Sequence, residues 1–194
     1  HDWEHTARVL HNARIITSRE SLKNNIDLKI IEAAAILHDV ARLEELNSNG
    51  KICHASLGAK LALDILPKCG FCDDTENAKI AECIKRHRFR GKNDAPETIE
   101  QKIIYDADKL DSIGAVGLGR AIHFSGRIGS ALHNTKKEAL ASDAYSSGDT
   151  AYREYLVKLK DIPSKLLTTT ARSMAVKRAE FMHTFFDTLN NEIY

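Results

Sequence analysis

The chain has 194 residues, of which 43% are hydrophobic, and this composition excludes an intrinsically disordered protein. Its 28 lysines and arginines nearly balance 27 aspartates and glutamates, for a net charge of +1, so we expect neither a nucleic-acid polymer nor an anionic membrane as a partner. No apolar run approaches the roughly 20 residues that a membrane-spanning helix needs. We therefore expect a cytoplasmic protein that folds as a single domain.

Hydrophobic residues recur at helical spacing along nearly the whole chain. Residues 2–20 predict a first helix, and its apolar side chains share one stripe: Trp3, Ala7, Leu10, Ala13 and Ile16. A second helix is expected to begin after an N-cap at Asp27 and to run to about Arg42. Two further helices are predicted over residues 55–66 and 76–88, the latter capped by Asp74 or Thr75.

The second half of the chain continues this pattern. After Pro96, hydrophobic residues recur at helical spacing over residues 97–127. Gly114, Gly117 and Gly119 indicate a close helix contact or a bend near the middle of this segment. A long surface loop or lid is predicted over 127–150, followed by a short helix and a long amphipathic helix over 164–191. Since no segment alternates as a strand would, we predict an all-α bundle, with a core at 1–126 and C-terminal helices at 151–194 that pack on it.

The apolar run at residues 30–37 ends abruptly in His38-Asp39. A carboxylate in such surroundings is costly unless it is hydrogen-bonded, ion-paired or bound to a metal. Other polar residues also lie within apolar stretches, and they supply imidazoles and carboxylates: His5, His54, His87, Asp106, Asp108 and Asp111. Such nitrogen and oxygen ligands suit Mn²⁺, Mg²⁺, Fe²⁺, Zn²⁺, Co²⁺ or Ni²⁺. Two histidines and two carboxylates would leave positions for water and a substrate oxygen.

Five sequence blocks in order carry a family resemblance: HDWEHTARV, AAAILHDVAR, CHASLGAKLA, IKRHRFRG and DADKLDSIGAVGLGRAI. Together they resemble the small stand-alone branch of the HD-domain metal-dependent phosphohydrolases. The resemblance implies an HD-type helical bundle and one divalent ion held by His5, His38, Asp39 and Asp108, with Asp106 supporting the site. It also implies hydrolysis of phosphate esters or anhydrides, with nucleotides as the expected substrates. A related branch cleaves nucleoside triphosphates to the monophosphate and pyrophosphate.

Several residues near these blocks have more than one interpretation. His54 and His87 are candidates to bind a second ion, to contact the substrate phosphate or to act as general acid. The alternative is that both are core histidines whose hydrogen bonds are satisfied. Asp111, one turn beyond Asp108, is a candidate general base or a helix cap. A basic cluster beside His87 is a candidate for phosphate binding, although the alternative is a solvated helix end and loop: Arg86, Arg88, Arg90 and Lys92. Lys109, next to Asp108, is a further candidate of the same kind.

One position departs from the family pattern. Some HD nucleotidases carry a glutamate three residues after the motif's aspartate, where this chain has Arg42. The candidates for the general base are therefore Asp111, His87 or a metal-bound hydroxide alone.

The sequence thus predicts a metal-dependent phosphohydrolase that acts on a small phosphate substrate, as a monomer or a homodimer. The alternative is a non-catalytic HD module that binds a metal and a nucleotide as a sensor or docking unit.

Overall fold

The computed structural model describes residues 3–22, 24–88 and 95–194. Within these ranges the secondary structure is helical and contains no strand, which confirms the predicted all-α fold. The α-helices, in chain order, are α1 (Trp3–Glu20), α2 (Leu28–Leu37), α3 (Arg42–Asn47), α4 (His54–Ile65), α5 (Asp74–Arg86), α6 (Ile99–Leu110), α7 (Gly114–Arg127), α8 (Lys136–Ala141), α9 (Ala151–Val157), α10 (Ile162–Lys165) and α11 (Thr169–Ile193). Short 3₁₀ helices follow α4 and α9, at Leu66–Cys69 and Leu159–Asp161.

The chain divides into two compact units. The first comprises the described residues of His1–Asp108 with Leu167–Ala171, and the second comprises Lys109–Leu166 with Arg172–Tyr194. In the first unit α2 packs on α1 and α5, and α5 also packs on α4. At Gly58 on α4 a Cβ would lie 3.4 Å from the Ile84 side chain of α5, so the two helices are in van der Waals contact there.

Helix α1 buries a stripe that mixes apolar and polar residues. Val9, Ala13 and Ile16 are fully buried, together with His5 and Asn12. The predicted stripe was wrong over its first two residues, because Trp3 is 69% exposed and Ala7 is exposed as well. A pattern based on apolar residues alone favoured the face of Trp3, whereas the buried face begins at a histidine.

Helix α2 ends at Leu37, five residues earlier than we predicted. Asp27 caps its start, as expected, by accepting a hydrogen bond from the Lys29 N–H. At the other end the Nδ1 atom of His38 lies 2.7 Å from the Ala35 carbonyl oxygen, the acceptor that a continuing α-helix would offer to the backbone N–H of Asp39. The following residues form a tight turn, closed by a bond from Arg42 N–H to the Asp39 carbonyl.

The long helix predicted over 97–127 is two helices, α6 and α7, with a break just before Gly114. Gly114 has a φ of +76°, a conformation that suits glycine. The break is the bend that the glycines indicated. A Cβ at Gly117 would lie 2.2 Å from the Ser112 backbone, in the connection between α6 and α7, whereas a Cβ at Gly119 would meet nothing within 4 Å.

The remaining predictions differ from the structure mainly at helix ends. Helix α5 is capped by Asp73, rather than by Asp74 or Thr75 as predicted. The segment 127–150 contains α8, whose start carries a capping box formed by Thr135 and Glu138. Among the described residues, no helix combines the length and the apolar character that crossing a bilayer would require.

Candidate metal centre

Four side chains converge in the first unit, and we call them the first ligand group: His5, His38, Asp39 and Asp108. The Nε2 atoms of His5 and His38 are 3.2 Å apart. The Oδ2 atom of Asp39 is 3.7 Å from each of them, and Oδ1 of Asp108 is 3.6 Å from His5 Nε2. The structure therefore brings together four residues that are separated by as many as 103 positions in the chain.

These separations match those of ligands around one divalent ion. Two donor atoms about 2.1 Å from an ion lie about 3.0 Å apart at a right angle, about 3.4 Å apart at a tetrahedral angle and up to about 4.2 Å apart when they face each other across the ion. Most contacts in the first ligand group are longer than ordinary hydrogen bonds. The spacing, together with the imidazole and carboxylate chemistry, fits a metal.

Helix positions explain how the first ligand group forms. His5 lies on the buried face of α1, and Asp108 lies on α6. The side-chain amide of Asn12 on α1 donates to the Ala107 carbonyl at 3.3 Å, which ties α1 to the turn of α6 that carries Asp108. His38 and Asp39 lie in the turn after α2, so both can face the same point.

A second ligand group shares Asp39 with the first and adds His54 and His87. The Nε2 atom of His54 lies 3.1 Å from Asp39 Oδ1 and 3.1 Å from His87 Nε2. His87 Nε2 is 3.8 Å from the same oxygen. The two oxygens of Asp39 thus face two different sets of imidazoles, and each set could hold an ion.

His38 and His87 are fixed in the tautomer that metal binding requires. Each directly follows a helix, and its Nδ1 atom donates to the backbone carbonyl three residues earlier, at 2.7 Å to Ala35 and 2.6 Å to Ile84. In the neutral ring the lone pair is then on Nε2, which faces Asp39. Burial, assisted by the charge of His38, lowers the pKa of His87 to about 3, so this ring is neutral at pH 7.

The Asp39 carboxylate is ionised under the same conditions. Burial raises its pKa, but the hydrogen bond from His54 and the positive charge that His38 and His87 carry when protonated lower it more, so the pKa lies well below its ordinary value. An anionic carboxylate beside imidazole nitrogens is the donor set of a cation site.

Glu45 and Arg42 are residues of this region to which the sequence analysis gave no role. Glu45 on α3 is 5% exposed. Its carboxylate accepts hydrogen bonds from Arg42 and Arg88 and lies 2.8 Å from Nδ1 of His54. The spacing of Arg42 and Glu45, one turn apart, was the only signal for this contact in the sequence.

The other predicted site residues lie in different surroundings. Arg86 donates to Glu82 and Glu97, each at 3.0 Å, and to the Ala95 carbonyl. Asp111 belongs to the second unit, where its carboxylate accepts a hydrogen bond from Arg120 at 2.6 Å. Lys109 also belongs to the second unit, and Arg90 and Lys92 lie outside the described residues.

Asp106 has contacts distinct from those of the ligand groups. It is fully buried and accepts hydrogen bonds from the backbone N–H groups of Leu167 and Thr168 and from the Thr168 hydroxyl. These bonds hold the residues that precede α11.

A cavity of about 760 Å³ lies elsewhere in the first unit, between residues such as Asp27, Lys79 and Gln101. None of its lining residues belongs to either ligand group. The candidate site is therefore identified by the spacing and chemistry of its donor atoms, and not by this cavity.

Two sequence comparisons show which known proteins this chain is similar to. The family model of the HD domain matches residues 2–113. The protein YpgQ of Bacillus subtilis (strain 168) is 32% identical over 197 residues, which cover 100% of this chain and 84% of YpgQ.

Two solved structures align with the whole length of this chain. A crystal structure of Bacillus subtilis YpgQ in complex with ADP aligns with a TM-score of 0.75 at 30% identity, and the match covers 100% of this chain and 90% of that one. A predicted HD-superfamily hydrolase from an uncultured Thermotogales bacterium aligns with a TM-score of 0.68 at 30% identity, over 100% of this chain and 82% of that one.

Proposed function

The chain belongs to the HD-domain family, and from that premise we propose that it is a divalent-metal-dependent phosphohydrolase that acts on nucleotides. The observation that carries the proposal is the first ligand group. Donor atoms of its other three residues, His38, Asp39 and Asp108, lie 3.2–3.7 Å from Nε2 of His5. A cation bound there would make a coordinated water more acidic and would polarise a phosphoryl oxygen.

The protein's own side chains would prepare the site for that ion. His38 offers a lone pair held in place by the Ala35 carbonyl, and Asp39 offers a negative charge. Because Asn12 links α1 to α6, His5 and Asp108 are held at their separation before an ion binds.

A nucleotide is the proposed substrate because Bacillus subtilis YpgQ, which matches this chain over its full length, has been crystallised with ADP. Arg88 is our candidate for contact with a phosphate, since its side chain is 18% exposed beside His54. Arginine suits this role because its planar guanidinium binds phosphate through paired hydrogen bonds. We propose cleavage of a phosphoester or phosphoanhydride, including conversion of a nucleoside triphosphate to its monophosphate and pyrophosphate.

The second ligand group favours a second ion, bound by Asp39, His54 and His87. Two ions that share one carboxylate would neutralise more of the negative charge on a polyphosphate than one ion would. If only one ion binds, His54 and His87 would be placed to contact the phosphate or to supply a proton.

The test is turnover of a nucleotide panel by protein stripped of metal and then loaded with Mn²⁺, Mg²⁺, Fe²⁺, Co²⁺, Ni²⁺ or Zn²⁺. Release of phosphate and pyrophosphate would be measured separately, because the two products distinguish the bond that is cleaved. We expect turnover that depends on the added metal and disappears with a chelator.

A fully metallated protein that releases neither product from any nucleotide would contradict the proposal. Tight nucleotide binding without turnover would favour the non-catalytic module instead.

A further inference from the structure

Three side chains compete for a single nitrogen atom of His54. Its Nδ1 atom lies 2.8 Å from Oε2 of Glu45, 3.1 Å from Nη1 of Arg42 and 3.2 Å from Nη1 of Arg88. The glutamate can only accept a hydrogen bond from the ring, whereas the arginines can only donate one to it. The two kinds of contact therefore require opposite states of Nδ1.

The state of Nδ1 decides what the other ring nitrogen can do. When Nδ1 donates to Glu45, the lone pair of the neutral ring is on Nε2, which faces Asp39 and His87 and can bind a cation. When Nδ1 accepts from an arginine, the proton is on Nε2 and points towards Asp39 Oδ1, 3.1 Å away. A ring in that second tautomer cannot be a metal ligand.

His54 depends on a side chain for its orientation because of its place in the chain. His38 and His87 follow helices and use a backbone carbonyl three residues earlier. His54 is instead the first residue of α4, so it has no preceding helical turn to supply such a carbonyl. The acceptor must come from another element, and Glu45 on α3 provides it.

Glu45 also offers the two arginines a stronger acceptor than the ring does. Its Oε2 atom accepts from Arg42, and its Oε1 atom accepts from Arg88. A charge-assisted bond to a carboxylate is stronger than a bond to a neutral imidazole nitrogen. While the carboxylate is present, both guanidinium groups are therefore directed to it.

We propose that Glu45 is a positioning residue that holds His54 in the tautomer able to bind a divalent cation in the second ligand group. The inference deepens the proposed function, but it concerns cation binding and is tested without substrate. It assigns Glu45 no contact with the cation or with the reacting atoms.

The direct test is a Mn²⁺ titration of the metal-free protein by calorimetry. Wild-type protein is expected to bind two equivalents. In Glu45→Gln the second equivalent should bind about 10–100-fold more weakly, the usual effect of removing the partner of a ligating histidine. The first equivalent should keep its affinity, and the matched control Glu44→Gln, an exposed neighbour on α3, should bind as wild type does.

A second variant separates positioning from a general structural role. Replacing both arginines as well (Arg42→Met, Glu45→Gln, Arg88→Met) removes the donors that would capture Nδ1. We expect this triple variant to recover part of the lost affinity, because the ring can again carry its proton on Nδ1. A role limited to packing predicts no recovery.

Nuclear magnetic resonance of ¹⁵N-labelled imidazoles in wild-type protein loaded with the diamagnetic ion Zn²⁺ gives a readout that needs no variant. Both ring nitrogens of His54 are assigned, and we expect the proton on Nδ1 and the chemical shift of a metal-bound nitrogen at Nε2. A proton on Nε2 would overturn the inference. So would a single Mn²⁺ equivalent in the wild type, or two equivalents of unchanged affinity in Glu45→Gln.

The inference and the proposed function fail in distinguishable ways. Two-ion binding that depends on Glu45, without nucleotide turnover, would contradict the proposed function alone. Nucleotide turnover supported by one ion would contradict the inference alone.

Discussion

The Oδ1 atom of Asp39 lies 3.1 Å from Nε2 of His54, while Oδ2 of the same carboxylate lies 3.7 Å from His5 and from His38. One short side chain therefore belongs to both ligand groups. This relationship makes Asp39 the residue whose replacement should have the widest effect.

Asp39→Asn should weaken Mn²⁺ binding at both ligand groups. An amide carries no charge, and its nitrogen cannot bind a cation. The asparagine can therefore supply an oxygen to only one of the two ligand groups, and both groups lose the negative charge. We expect the affinity to fall by more than about 100-fold, beyond the usual effect of changing a residue that only supports a ligand. Calorimetric titration measures this, with Asp64→Asn, on the exposed surface of α4, as the control. Wild-type affinity in Asp39→Asn would exclude the shared carboxylate.

Metal should stabilise the folded protein. A ligand that binds only the native state at 100 times its Kd adds about 2.7 kcal/mol to the free energy of unfolding. For a chain of this size that is a rise in Tm of about 5–10 °C. Thermal unfolding with Mn²⁺ and with a chelator tests this, and Asp39→Asn should show little of the rise. Equal Tm values for wild-type protein under saturating Mn²⁺ and chelator would contradict a native-state metal centre.

Asp106→Ala should destabilise the protein. Asp106 accepts bonds from two backbone N–H groups and one hydroxyl just before α11, and alanine would leave these donors without an acceptor. A loss of about 3 kcal/mol in the free energy of unfolding is expected. Urea denaturation measures it, and Asp64→Ala serves as the exposed control. A loss below 0.5 kcal/mol, on the order of a surface substitution, would show that other groups hold the start of α11.

Two glycines of α7 should respond oppositely to alanine. A Cβ at Gly117 would lie 2.2 Å from the Ser112 backbone, so Gly117→Ala should lower the free energy of unfolding by about 1–3 kcal/mol or more. A Cβ at Gly119 would meet nothing within 4 Å. Gly119→Ala should therefore raise the free energy of unfolding by up to about 1 kcal/mol, because alanine favours the helix. Denaturant unfolding of both variants provides the comparison. Equal effects would contradict the close contact at Ser112.

Native protein should show three reactive thiols. Cys53, Cys69 and Cys72 are exposed, whereas burial, with Glu100 and Glu82 nearby, raises the pKa of Cys83 to about 12. Since the thiolate is the reactive form, Cys83 stays protonated and unreactive well above pH 8. Labelling with a chromogenic disulfide reagent should count three thiols in the native state and four in guanidinium chloride. Rapid labelling of a fourth thiol in the native state would contradict the burial of Cys83.

The sequence predicted the fold because its helices are strongly periodic. Helix α4 was expected at 55–66 and runs from His54 to Ile65, and the break before Gly114 was signalled by its glycine. The end of α2 was missed, because a histidine side chain, rather than a proline or glycine, ends that helix.

The site was less predictable than the fold. Imidazoles and carboxylates that interrupt apolar stretches gave a wider set of candidates, Asp106 and Asp111 included, and the family resemblance implied which four of them belong together. Neither signal gave a role to Glu45, because its importance depends on the joint positions of Arg42, His54 and Arg88, which come from three separate segments. Periodicity describes one helix at a time and carries no information on such a meeting.

The placement of His38 and His87 directly after α2 and α5 makes the centre sensitive to helix length. Each added residue turns the next position by about 100° around the helix axis. A single alanine inserted in the middle of α5 would therefore swing the His87 ring away from Asp39, while the same insertion in an exposed loop would leave the ring in place. Over evolutionary time, insertions and deletions should accumulate between these helices and be rejected within them.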